Sequence, residues 1–231
     1  MKKLGLIGGT GPESTIPYYH GIVYGVQKRV GRPFFPNLTI ESVDVFHIID
    51  MLKNNRRDEL FEYLMHAINN LVRAGADFVS LSANTCHIIF DRLQANSPVK
   101  LISIVDATCD ETIKRNYRKI GLLGTIFTMR EDFFKIPFLQ AGIDIITPSA
   151  IEMEYINEKI MAELEHGIVK DDTLKDFQKI ITRLKADENI EAIVLGCTEL
   201  PLLLNDSVCP VPCLDTVQIH INKLVAEILS A

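Results

Sequence analysis

The chain has 231 residues, 47% of them hydrophobic, with 24 Lys and Arg against 30 Asp and Glu and a formal net charge of −6. That is apolar material for one large core or two smaller ones, and the intermixed charges, with no basic face, exclude a nucleic-acid partner. No run approaches the roughly 18 apolar residues of a membrane span, and five cysteines, an odd number, speak against a disulfide framework and for a cytoplasmic protein.

The N-terminal MKKLGLIGGTGPEST opens like a secretory leader, but its apolar run ends after about four residues in glycines, so LGLIG (4–8) reads as a first buried strand. The loop after it, with Gly8, Gly9, Thr10 and Gly11, precedes a helix over roughly 13–29, with Pro12 suited to its first turn. Backbone N–H groups and a positive helix end there favour a carboxylate or phosphate. A dinucleotide site fits badly. The glycines miss the G-x-G-x-x-G spacing, and Asp44 comes some 33 residues after Gly11 where an acid is wanted about 20 residues on.

Further strands are expected at NLTIESV (37–43), DFVSLSA (77–83), KLISIV (100–105), KIGLLG (119–124), IDIITP (143–148) and EAIVLG (191–196). Helical patterns fall at roughly 55–74, 105–115, 128–141, 153–166 and 171–186, and a last helix starts near Asp215. Apolar runs without alternation are strands buried on both faces, and the strand–helix–strand order implies parallel sheets with right-handed crossovers.

The order repeats. KKLGLIGGT (2–10) resembles RKIGLLGTI (118–126), and ADFVSLSANT (76–85) resembles IEAIVLGCTE (190–199), with offsets of 116 (Gly5 to Gly121) and 114 (Ala83 to Cys197). The expected fold is therefore α/β, in two tandem, pseudo-symmetric domains with parallel sheets: residues 1–103 with a returning segment 214–231, and residues 104–213. Ligands of such sheets bind beyond the carboxyl ends of the strands, which selects four loops: GGTGPEST, SANTCH, LGTIFTM and GCTELP. A pseudo-twofold relation would gather them in an interdomain cleft.

Cys197 is the sharpest residue. It follows a buried strand and precedes a turn or helix from Thr198, whose N-terminus would lower the thiol pKa. His87 reads more readily as a structural, hydrogen-bonding histidine, and Glu199 as a proton buffer or a first-turn acid. Cys209 and Cys213 flank Pro210 and Pro212 without a second pair of ligands, so no zinc site is expected, and no other metal.

GGTGPEST, ANT-x-H and GCTELPL together resemble the cofactor-independent aspartate/glutamate racemases over essentially the whole chain, with GCTEL the most specific segment. The resemblance implies two similar domains with the active site between them, proton transfer at the α-carbon of an amino acid or related dicarboxylate, no cofactor or metal, and a homodimer. It implies that Asn84, Thr85 and Thr198 hold the substrate carboxylate and amino group, and that Gly9, Thr10 and Thr125 line the same cleft. The family places a cysteine on each side of the α-carbon. Cys197 matches one; the other position holds Ala83, with Cys86 three residues on as a candidate second acid or base. No arginine stands where aspartate-selective relatives have one, in SVDVFHIIDMLKNNRRDEL, so the substrate expectation is an amino acid, acidic ones leading. The alternatives are a single-cysteine decarboxylase of a malonate-type acid and a non-catalytic amino-acid-binding protein.

Overall fold

A computed structural model describes residues 1–230, with Pro12 and Glu13 by backbone alone; Ala231, at the end of the expected returning segment, lies outside the described residues. The first half runs β1 (Leu4–Gly8), α1 (Pro12–Val30), β2 (Leu38–Ser42), α2 (Val45–Lys53), α3 (Arg57–Arg73), β3 (Phe78–Leu81), a 3₁₀ turn (Thr85–Ile89), α4 (Phe90–Asn96) and β4 (Lys100–Ile102). The second runs α5 (Ile104–Lys114), β5 (Lys119–Gly124), α6 (Ile126–Arg130), α7 (Lys135–Gln140), β6 (Asp144–Ile146), α8 (Ala150–Ala162), a 3₁₀ turn (Leu164–His166), α9 (Asp171–Glu188), β7 (Ala192–Gly196), a 3₁₀ turn (Leu200–Leu202) and β8 (Cys213–Asp215), with α10 (Thr216–Leu229) last.

The chain divides into two compact units, residues 1–104 with the chain end from His220, and residues 105–219. Residues 214–219, expected with the first domain, go with the second, because β8 pairs with β7. Each unit holds a four-stranded parallel sheet, ordered β2-β1-β3-β4 and β6-β5-β7-β8. The two have one topology and, at their centres, one register. Leu4 pairs with Phe78, and Ile120, 116 residues after Leu4, pairs with Ala192, 114 after Phe78. The offsets read from the sequence are thus the offsets of the central strands.

The central strands β1, β3 and β7 are buried along their whole length, as uninterrupted Leu, Ile and Val runs require when helices cover both faces, while the edge strands β2 and β6 are only partly buried. Helix α3 buries Leu60, Leu64, Ile68 and Leu71, a stripe spaced three and four apart, and packs on β1 and β2. Each such leucine contributes about 1.5–3 kcal/mol by burial.

Two expected helices change. The pattern over 128–141 divides into α6 and α7, because Pro137 inside a continuous helix would collide with the carbonyl four residues back and lose a hydrogen bond. As the third residue of α7 it sits where backbone N–H groups have no intrahelical acceptor. The helix over 153–166 starts earlier, at a Ser149–Glu152 capping box, and ends at Ala162 before the 3₁₀ turn. Three elements fall outside the expected ranges, α2, α4 and β8.

In the first unit α10 is held by His220, which is fully buried. Its Nδ1 lies 2.7 Å from the Tyr18 hydroxyl, and its Nε2 lies 2.9 Å from Ser80 Oγ and 3.2 Å from the Ile102 carbonyl. A carbonyl only accepts, so Nε2 carries the proton and Tyr18 donates to Nδ1. Burial pushes the His220 pKa down to about 3, which keeps the ring neutral.

Candidate active site

In the second unit the site grows from the ends of β5 and β7, neighbours whose last residues, Gly124 and Gly196, are paired. A Cβ on Gly196 would come within 2.7 Å of the Leu123 carbonyl, so this close approach excludes any larger residue. Thr125 follows β5 and caps α6, its Oγ1 accepting from the Thr128 N–H. Cys197 and Thr198 follow β7. Cys197 Sγ donates to Glu199 Oε2 at 2.9 Å, and Thr198 Oγ1 lies 2.9 Å from both Glu199 carboxylate oxygens. Cys197, Thr198 and Glu199 are all buried. Glu165, from the 3₁₀ turn after α8, completes the group: its carboxylate, the Cys197 sulfur and the Glu199 carboxylate lie within 4.8 Å of one another.

The electrostatics of this cluster overturn one expectation. The segment after Cys197 leads into a three-residue 3₁₀ turn, not a helix whose N-terminus would depress the thiol pKa. Burial, together with the charges of Glu199 and Glu165, pushes the thiol well above its ordinary value. Burial and the neighbouring Glu199 push the Glu165 carboxyl up to about 8. The cluster therefore holds a thiol that resists ionisation and, in Glu165, a carboxyl that keeps its proton to higher pH than usual, both beside Glu199 and within short reach of one another. The same donor set, one soft sulfur and two carboxylates, could bind a divalent cation such as zinc.

In the first unit the corresponding residues cluster at the ends of β1 and β3. Gly9 has φ 79°, and a Cβ there would come within 2.3 Å of the Val43 carbonyl, so glycine is required twice over. Its N–H donates to Thr15 Oγ1 at 2.9 Å. Thr10 is buried, with Oγ1 3.3 Å from Ser82 Oγ, which itself donates to the Ile7 carbonyl. Asn84 is buried and Thr85 partly so, at the start of the 3₁₀ turn. Cys86 lies in the core of this unit, 1% exposed, its thiol pushed up to about 12 by burial. His87 donates from Nδ1 to the Ala83 carbonyl at 2.9 Å and accepts at Nε2 from the Ile104 N–H at 3.2 Å. Stacked on Phe90 and held neutral by burial, with a pKa near 4, it is a structural residue.

Ala83 is the structural counterpart of Cys197. Each stands two residues past a paired strand residue, Leu81 facing Ile7 in one sheet and Leu195 facing Leu123 in the other. The structure thus groups Gly9, Thr10, Asn84 and Thr85 in one unit, and Thr125, Cys197 and Thr198 in the other. Glu165 was not picked out from the sequence. It comes from a turn far along the chain, in a stretch whose pattern shows only a helix end.

These features define a class, a duplicated α/β protein with a buried thiol–carboxylate cluster at the carboxyl end of one sheet. Comparison with known proteins goes further. Residues 7–224 match the family model described as Asp/Glu/Hydantoin racemase. A candidate Asp/Glu racemase from Yersinia pestis, of known crystal structure, is 34% identical with a TM-score of 0.91, and an aspartate racemase homologue from Pyrococcus horikoshii OT3 is 35% identical with a TM-score of 0.85; each comparison covers 100% of both chains. The broad specificity amino-acid racemase RacX of Bacillus subtilis is 23% identical over 218 residues, 92% of each chain. The chain belongs to the Asp/Glu/hydantoin racemase family, and so to the racemases among the isomerases. Among the described residues, no helix is long and apolar enough to cross a membrane.

Proposed function

We propose that the protein racemises an amino acid without a cofactor, with Cys197 as the group that takes and returns the α-proton. The observation that carries this is the hydrogen bond from the Cys197 thiol to Glu199 at the end of β7, in a chain of racemase family. Glu199 is placed to accept the thiol proton, leaving a thiolate that removes the α-proton. The α-ammonium of a bound amino acid would bring positive charge beside the thiol and lower its pKa when substrate arrives. Asn84, Thr85 and Thr198 would hold the substrate amino group and its carboxylate, whose charge grows as the carbanion forms, with Thr125, Gly9 and Thr10 as lining residues. The relative named for broad specificity, and the missing arginine, support a range of amino acids with acidic ones leading. The cytoplasmic location and the homodimer implied by the family resemblance belong to the same proposal.

A second reading is favoured by Ala83. With no thiol at that position and Cys86 buried in the core, Cys197 would exchange the proton on one face only, the chemistry of a single-cysteine decarboxylase. The experiment is incubation with L-aspartate, L-glutamate and other L-amino acids in heavy water, following the α-proton by NMR and configuration by chiral chromatography. Deuterium uptake with inversion, abolished by Cys197→Ala, is the expected result. Uptake with retention would establish the one-sided reading. Uptake on no amino acid would overturn the racemase and turn the search to malonate-type acids.

A further inference from the structure

The cluster around Cys197 has the make-up of a metal site as well as that of a proton-transfer site. Among the described residues, Glu165, Cys197 and Glu199 form the group whose sulfur and carboxylate oxygens come within 4.8 Å of one another. Four-coordinate zinc, with bonds of about 2.3 Å to sulfur and about 2.1 Å to oxygen, sets its ligand atoms roughly 3.5 Å apart. That spacing lies between the 2.9 Å of Cys197 Sγ to Glu199 Oε2 and the 4.8 Å that bounds the group, so small side-chain movements close the three ligands on one ion. Both arms of the cluster are fixed. Cys197 and Glu199 are buried, and the Leu200 N–H donates to the Cys197 carbonyl at 3.2 Å. Glu165 follows the fully buried Leu164 in its 3₁₀ turn, and Glu163 anchors that turn. The Glu163 carboxylate accepts from the Thr173 hydroxyl at 2.7 Å and from Lys170 Nζ at 3.1 Å, and its carbonyl accepts from the His166 and Ile168 N–H groups, each at 3.0 Å. Thr198 Oγ1, 2.9 Å from both Glu199 carboxylate oxygens, supplies the outer-shell support that a metal-binding carboxylate needs. Glu165 is only partly buried, which gives an ion a way in and a water ligand a place.

We propose that Cys197, Glu199 and Glu165 bind one zinc ion, with water as the fourth ligand, and that zinc and substrate exclude each other. The charges favour a dication. Two carboxylates stand against a buried sulfur, and Glu165 takes no hydrogen bond or ion pair from any other described residue. Burial and those carboxylates oppose ionisation of the thiol, and a bound dication reverses the balance, because a coordinating thiol is deprotonated outright. The thiol proton passes to solvent as the metal–sulfur bond forms. The sulfur selects zinc or cadmium over magnesium and calcium, which take oxygen ligands. The exclusion of substrate rests on the reading of Cys197 as the group that moves the α-proton, since a sulfur held by zinc is no longer a free base.

The test is titration of the full, reduced, chelator-stripped protein with zinc, cadmium and magnesium ions. Cadmium reports through its ultraviolet thiolate-to-metal absorption band, and zinc affinity is read by competition with a coloured chelator. The expected result is one ion per chain and a cadmium band that zinc removes but excess magnesium does not. Cys197→Ser should abolish the band, whereas Cys209→Ser, outside the cluster, should keep it. Glu165→Gln and Glu199→Gln should each weaken zinc by at least about tenfold, the cost of losing even an outer-shell partner. Zinc should stop α-proton exchange on any amino acid the protein turns over, and a chelator should restore it. No band in the parent, a band that survives Cys197→Ser, or unchanged zinc affinity in both glutamate variants would overturn the site. Exchange that continues with zinc bound would overturn the exclusion of substrate. The band reads the site whether or not the protein racemises, so failure of the metal site and failure of the racemase reading are told apart.

Discussion

In the proposed reaction the chemistry turns on Glu199, because it accepts a hydrogen bond from the Cys197 thiol and also opposes its ionisation by charge. Glutamine at this position keeps an acceptor but can neither take a proton nor carry the charge. We expect Glu199→Gln to lower α-proton exchange by roughly 10²-fold, the scale of a general acid–base group. The same change should make the Cys197 thiol easier to ionise, so that it is alkylated faster near pH 8 than in the unsubstituted protein. Slower exchange without faster alkylation would assign Glu199 a packing role alone. Glu165 makes a separate prediction, on stability. Its folded-state pKa, about 8, lies above the unfolded value near 4.3. Between those values the folded chain binds more protons than the unfolded one, so stability falls as pH rises through that interval. Glu165→Gln removes the titration. Denaturant unfolding at pH 5 and pH 8 should show the variant gaining on the parent by on the order of 2 kcal/mol across that span. Parallel pH curves for the two proteins would exclude the raised carboxyl.

Helix α10 shows how an element can depend on one buried group. The His220 ring joins Tyr18 of α1, Ser80 of β3 and the carbonyl of Ile102 at the end of β4, while Gly21 and Gly25 of α1 leave room for Ile221 and Val225. Phenylalanine fills similar volume but leaves the Tyr18 and Ser80 hydroxyls buried beside a carbon ring. His220→Phe should cost about 2–4 kcal/mol in denaturant unfolding, and a loss under about 0.5 kcal/mol would contradict this role for the ring. At this scale the sequence was legible wherever burial imposes a pattern. LGLIG and KIGLLG occupy β1 and β5 residue for residue, because a strand covered on both faces is written as an unbroken apolar run. Helix α2 was missed although its signals are present. Asp44 accepts from the Phe46 and His47 N–H groups as an N-cap, and Ile48, Met51 and Leu52 make a buried stripe. The strand just before it and the polar NNRRDE just after it hid a nine-residue helix. Strand β8, three residues behind a proline, has too little length to show a period. His220 could not be read at all, since its partners come from three other elements.

Duplication is the property of the whole molecule, and it explains which parts of the site could be read. Residues at strand ends, such as Thr125 and Cys197, were visible because they follow the repeated apolar runs; Glu165 was not, because only folding brings its turn to β7. The repeat also makes one position answerable. Equal register in the two sheets makes Ala83 and Cys197 counterparts, yet only one bears a thiol. Inversion at the α-carbon requires that one proton leave from one face and another be returned to the opposite face. If the two counterparts serve one substrate, Ala83→Cys supplies the second donor and should raise inversion about tenfold or more, while deuterium uptake from the Cys197 side changes far less. Comparing the two rates on one sample separates these effects, and Ala83→Ser, nearly the same size but a much weaker acid, controls for packing. A gain with cysteine alone would mean that the two halves act on opposite faces of one molecule. An inversion rate unmoved by cysteine would mean either that position 83 does not face the substrate or that another group already returns the proton. Adding Cys197→Ala to Ala83→Cys decides between these, because a thiol at 83 that faces the substrate should restore exchange to a protein that otherwise has none.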